Sequence, residues 1–286
     1  DVMHDPQDIV KKYPDLTKVK AFHHYGLKSL PFAGPNPEDR HKIIDDHLDT
    51  HIAQHGHISN MGNEEANQIL DHAAPRHIDR MIDNRPDAVV AMTLFRRGKL
   101  SESQTHKLLD KTEQYKAIYS RLYQEALSGD HGKSVGDRLV NHPNKHVRVQ
   151  VAEHGNDEHR EKLLHDPESI VREKVAEHGY IPHYDHLVHD SSPIVRKVVA
   201  SLGEKRHHDI LVNDPNSEVR KRVADMGDEE HLAILTKDPD HLVQRTALCR
   251  TMNPHHVQNA IDHPASPGNL ELAKHIMKIM KGNTET

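Results

Sequence analysis

Three histidines, His47, His51 and His55, recur every fourth residue in DDHLDTHIAQHGH, with Asp46 and His57 close by. Residues four apart share one face of a helix, so neutral imidazoles at this spacing can chelate zinc or another transition metal. No HExxH frame accompanies them, and the third histidine falls two turns from the first. His55 also has a competing role. Like His154 and His178 it stands directly before a glycine, where an imidazolium would complement the C-terminal dipole of a helix. A second constellation is cationic: Arg148, Arg172, Arg196 and Arg220 stand 24 residues apart, and Lys197, Lys221, Arg222 and Arg245 add charge nearby. Such a stripe could track a phosphate backbone. Acidic residues from Glu204 to Glu230 are interleaved with it, and no aromatic side chain is placed for base stacking. Catalytic frames are missing from the chain. It contains no GxSxG, no phosphate-cradling glycine loop and no Cys/His pair spaced for nucleophilic attack, so no catalytic or cofactor-binding residue is expected.

Composition narrows the classes further. The 286 residues carry 44 acidic against 38 basic groups, a formal charge of -6, which argues against wholesale coating of nucleic acid. Aromatic content is 3% with no Trp, so burial must come from Leu, Val, Ile and Ala in thin layers. The single cysteine, Cys249, cannot form an internal disulfide. No apolar run reaches the roughly 18 residues of a membrane span, and DVMHDPQDIVKKYPD lacks the apolar segment of a signal peptide. A cytoplasmic or virion-associated setting without membrane insertion is the expectation.

What must position these residues is a 24-residue unit repeated from about residue 135 to 262. Its segments end at Gly155, Gly179, Gly203, Gly227 and Thr251, while Leu139, Leu163, Leu187, Leu211 and Leu235 keep the same step. A fixed period of this size marks stacked helical hairpins, none of which buries its apolar face alone. In NDEHREKLLHDPESIVREKVAEHG, residues 156–179, Asp166 reads as an N-cap before Pro167 and Gly179 as a left-handed C′ residue. Leu163, Leu164, Val171, Val175 and Ala176 supply five apolar anchors, with Glu173, Lys174 and Glu177 on the opposite face.

The DPxxxVRxxVAxxG pattern resembles the HEAT-like superfamily, and at 24 residues it is most similar to the leucine-rich-repeat variant. The resemblance implies an all-α, right-handed α-solenoid of short helical hairpins, a HEAT-like or ARM-like superhelix. It also implies a ladder of ion pairs joining Arg148, Arg172, Arg196 and Arg220 to Asp166, Asp190, Asp214 and Asp238. That ladder competes with phosphate binding for the same arginines. His142 replaces the first Asp and Gln244 the fifth Arg, so both ends should fray. Similar repeats occur in bacteria and in tailed phages.

Weaker copies of the pattern end at Gly26, Gly56 and Gly98. Between them and the regular array, Ser101 to Gly129 opens with a Ser101–Gln104 capping box and reads as one long helix bearing Tyr115, Tyr119 and Tyr123. The expected organisation is degenerate repeats over 1–100, a connecting helix and linker over 101–134, and regular repeats with a C-terminal cap over 135–286. The leading expectation is a non-enzymatic scaffold that binds a protein partner. Nucleic-acid binding by Lys197, Lys221, Arg222 and Arg245 is the alternative, and a histidine-based metal protein or metalloenzyme the second alternative.

Overall fold

The computed structural model describes residues 36–58, 61–84, 86–112 and 119–282, which are helical with no strand among them. The chain divides into two compact units, residues 1–139 and 140–286. The first holds α1 (Pro37–His55), α2 (Asn63–Leu70), α3 (Pro75–Asp83), α4 (Ala88–Arg97), α5 (Glu102–Thr112), α6 (Tyr119–Ser128) and α7 (Gly132–Leu139). Helix α4 packs between α2 and α6, and α5 between α3 and α7, over a core that includes Ile44, Leu48, Ile69, Met81, Val90 and Leu94. The sequence boundary at 134/135 therefore falls inside α7. Within the span expected to form one long helix, 101–129, the described parts are the helical segments α5 and α6, which both pack against α4 and α7; residues 113–118, including Tyr115, lie outside the described residues. Tyr123 is buried and serves packing. The weak copy ending at Gly26 also lies outside the described residues.

In the second unit, ten-residue helices alternate with seven-residue ones. The long series is α8 (Lys145–His154), α10 (Ser169–His178), α12 (Pro193–Leu202), α14 (Ser217–Met226) and α16 (His241–Arg250). The short series is α9 (Asp157–Leu163), α11 (Ile181–Leu187), α13 (Lys205–Leu211) and α15 (Glu229–Leu235), and α17 (Pro254–Asp262) and α18 (Pro267–Gly282) close the unit. Each long helix packs against the long helices before and after it, and each short helix packs against its flanking long helices. Helices this short are marginal alone in water, so the stack must stabilise them. The anchors do so: Leu163, Leu164, Val171, Val175 and Ala176 are buried, as are their equivalents Leu187, Val188, Val195, Val199 and Ala200. Each fully buried Leu or Val contributes on the order of 1.5–3 kcal/mol.

Two details of the unit differ from the sequence reading. Helix α10 starts at Ser169 with Glu168 at the N-cap, and Asp166 instead accepts the Glu168 N–H (3.0 Å), bracing the turn before the helix. The terminal glycines are not left-handed: Gly155, Gly179, Gly203 and Gly227 have φ of -73°, -83°, -74° and -69° with extended ψ. Close approach explains them. A Cβ on Gly179 would lie 2.5 Å from the Val175 carbonyl oxygen and 2.6 Å from His183 Nδ1, and the other three are equally crowded. Among the described residues only Gly56, with φ 72°, ends its helix in the left-handed region that favours glycine.

Candidate functional site

The recurring arginines lie in a continuous ladder. Arg172 Nε and Nη2 donate to Asp190 Oδ2 and Oδ1 at 2.7 and 2.9 Å, while Nη1 donates to the Asp166 carbonyl at 2.7 Å. Arg148 with Asp166, Arg196 with Asp214 and Arg220 with Asp238 repeat this two-pronged geometry. Each arginine thus bridges the carbonyl of its own unit to the carboxylate of the next. The carboxylates are nearly fully buried, and bidentate charge-assisted bonds of this kind are among the stronger polar contacts. Burial raises the Asp190 carboxyl, but hydrogen bonds from Arg172 and the Ser192 N–H, with the nearby Arg196 charge, outweigh it and hold the pKa below the ordinary value. The ion pairs stop at Arg148 and Asp238, and beyond them neutral hydrogen bonds take over. His142 braces the first turn, its Nδ1 accepting the Asn144 N–H and its carbonyl accepting Arg148 Nη1. At the other end Gln244, fully buried, donates to the Thr236 and His263 carbonyls and accepts from Ala265 N–H and Asn269 Nδ2.

A second ladder was hidden in the histidines. His159, His183, His207 and His231 keep the 24-residue step, four residues after each terminal glycine, and all are buried. Each Nδ1 accepts the backbone N–H three residues earlier, from Asn156, Tyr180, Glu204 and Asp228, at 3.1, 3.3, 2.9 and 3.2 Å. The ring therefore caps a seven-residue helix and carries its proton on Nε2. His207 and His231 donate that proton to Asp185 and Asp209 of the preceding unit, both at 2.9 Å. His183 Nε2 lies 3.4 Å from Glu161 without a hydrogen bond's alignment. His77 of the first unit caps α3 in the same way, accepting the Ala74 N–H at 2.8 Å. Burial pushes His183 and His77 below the ordinary imidazole value, and it does the same to His154. His154 is thus held towards its neutral form, contrary to the helix-dipole role expected before a terminal glycine. The His-to-glycine contact also explains why the glycines cannot carry a Cβ.

With Arg, Asp, His and Gly engaged in stacking, the variable face of the long helices is what remains. Positions i, i+3, i+4 and i+7 form one stripe per helix: Ile170, Glu173, Lys174 and Glu177 on α10, then Ile194, Lys197, Val198 and Ser201 on α12. Glu218, Lys221, Arg222 and Asp225 follow on α14, and Leu242, Arg245, Thr246 and Cys249 on α16. Ile170, Ile194 and Leu242 are 43%, 54% and 43% exposed, unusual for isoleucine and leucine in one row. The candidate cations are partly neutralised within the face. Lys197 Nζ lies 3.6 Å from Glu218, Arg222 lies 3.7 Å from Asp225, and Lys174 bridges Glu177 and Glu153 at 2.6 and 3.6 Å.

The metal candidates part company. His47 Nε2 meets Glu65 Oε1 at 2.5 Å and His51 Nδ1 lies 3.8 Å from the same oxygen, so α1 and α2 bring His47, His51 and Glu65 together. His55 is exposed and lies outside this group, although its ring sits 4.8 Å from that of His51. Glu65 was invisible to spacing analysis because it comes from the next helix. Burial raises the Glu65 carboxyl, but the His47 contact, the positive potential of both imidazoles and the Gly62 N–H outweigh it, so its pKa is lowered.

No family model matches the chain, and no curated protein is significantly similar to it.

Proposed function

We propose that the chain is a non-enzymatic α-solenoid, its hairpins stacked as a right-handed HEAT-like superhelix, that binds a protein partner through the variable face of its ten-residue helices. One observation carries the reading. The four recurring polar or special residue types of the unit are consumed by contacts between units, whereas the stripe from α8 to α16 varies and leaves Ile170, Ile194 and Leu242 exposed. Solvated charges flanking isolated aliphatic anchors suit a protein interface, where a few apolar contacts dominate affinity.

Charge balance separates this from nucleic-acid binding. Lys174, Lys197, Lys221, Arg222 and Arg245 are matched in number by Glu153, Glu173, Glu177, Glu218 and Asp225 on the same face. A phosphate-tracking groove needs an excess of cations that this face does not carry. Among the described residues no helix is long and apolar enough to cross a membrane.

The test is affinity purification from the source lysate with wild type and an Ile170→Glu/Ile194→Glu variant, at matched helical content. Loss of the same enriched protein in the variant is expected. Equal recovery would remove the face from consideration, and nuclease-sensitive, salt-sensitive recovery of nucleic acid would favour the other partner class.

A further inference from the structure

Two imidazoles one helical turn apart converge on a single carboxylate in the first unit, and nowhere else among the described residues do three such ligand atoms lie within 4.8 Å of one another. The other buried histidines do something different. In the histidine ladder each Nδ1 is occupied by a backbone N–H, which leaves one nitrogen for one carboxylate. His51 has no such capping bond. Its Nε2 is buried without a hydrogen-bond partner, and its Nδ1 points towards Glu65 at 3.8 Å, too far for a hydrogen bond. Unlike the Nδ1 of a ladder histidine, that of His51 carries no capping N–H and faces the carboxylate, in reach of an ion held between them.

We propose that His47 Nε2, His51 Nδ1 and the Glu65 carboxylate form a site for one divalent transition-metal ion of the zinc class, clipping α1 to α2. Zinc bonds to imidazole nitrogen and carboxylate oxygen are about 2.0–2.2 Å long, which places tetrahedral ligand atoms about 3.3 Å apart. The present separations from Glu65, 2.5 and 3.8 Å, bracket that value. Small side-chain rotations complete the geometry, and the ion takes the place of the direct His47–Glu65 contact. Two nitrogens and one oxygen exclude calcium and magnesium, which take all-oxygen shells. The side chains are 15%, 12% and 26% exposed, sheltered yet reachable by an ion. A fourth coordination position is left to water.

The test uses the full, tag-free chain, stripped with a chelator and titrated with cobalt(II), whose visible bands report tetrahedral nitrogen and oxygen coordination. One equivalent of tight cobalt, displaced by zinc, is expected. Outer-shell partners alone are worth about 10–100-fold in affinity, so Glu65→Gln and His51→Ala should each weaken binding by more than tenfold. His55→Ala should leave it unchanged. Glu65→Gln is nearly isosteric and keeps the test decisive if His51→Ala misfolds. Absence of a tight class in the wild type, its persistence in Glu65→Gln, or its loss in His55→Ala would overturn the site.

Discussion

Replacing Arg172 by methionine removes one rung from the middle of the array while keeping the side chain's aliphatic bulk. Asp190, whose side chain is only 5% exposed, then keeps one hydrogen bond, from Ser192 N–H, and loses both guanidinium bonds; the Asp166 carbonyl loses its donor at 2.7 Å. Removing one partner of a buried ion pair costs about 3–5 kcal/mol, against about 0–1 kcal/mol for an exposed pair. Arg172 itself is 12% exposed, so the lower end applies, about 3 kcal/mol. For a unit spanning residues 140–286 that corresponds to a melting shift of roughly 6–12 °C. Because stacked units are coupled mainly to their neighbours, the transition should also broaden or split. Urea and thermal unfolding followed by circular dichroism read both effects. Adding Asp190→Leu to Arg172→Met should recover part of the loss, since the unpaired charge is gone. A cost below about 1 kcal/mol for Arg172→Met would show that the ladder behaves as an ordinary surface pair, and the reasoning would fail.

Other expectations follow from the same contacts. Gly203→Ala should destabilise by about 1–3 kcal/mol through overpacking, and Gly203→Asn should be no better; rescue by Asn would mean a left-handed site after all. Acid should act in two stages. Burial holds His51, His77, His183 and His208 below the free imidazole value of about 6.5, so the unfolded chain takes up protons first and stability falls as pH drops from there towards the folded values. Asp190 is depressed below the free carboxyl value of about 3.9, so its contribution is present above that pH and is lost as pH falls through the folded value. A urea midpoint that stays flat from pH 7 to pH 4 would contradict the histidine stage. His207→Ala should cost about 2–4 kcal/mol, from a cavity plus an uncapped Glu204 N–H, measurable by the same unfolding curves.

Much of this architecture was legible because period and burial coincide. Leu163, Val171 and Val175 announce a buried face by spacing alone, and the equal step of Arg172 and Asp190 announces their pairing once a stacked unit is assumed. Glycine misled because two physical causes produce the same letter: a left-handed backbone at Gly56, and a neighbour too close for a Cβ at Gly179. The histidine ladder is open to the same arithmetic, since His159, His183, His207 and His231 keep the 24-residue step. Glu65 could not be found that way. Its partnership with His47 and His51 depends on the packing of α2 against α1, which no spacing within one helix encodes.

The most direct measurement is a quantitative comparison of partner recovery by three proteins: wild type, the face variant Ile170→Glu/Ile194→Glu/Leu242→Glu, and a variant altered at two exposed positions of the short helices, Ile210→Glu/Ile234→Glu. All five substitutions replace exposed side chains and should change stability by no more than about 0.5 kcal/mol each. The dominant bound protein is expected to be lost with the long-helix variant and retained with the short-helix variant at unchanged melting temperature. Retention with the first and loss with the second would place binding on the short helices and contradict the proposed function.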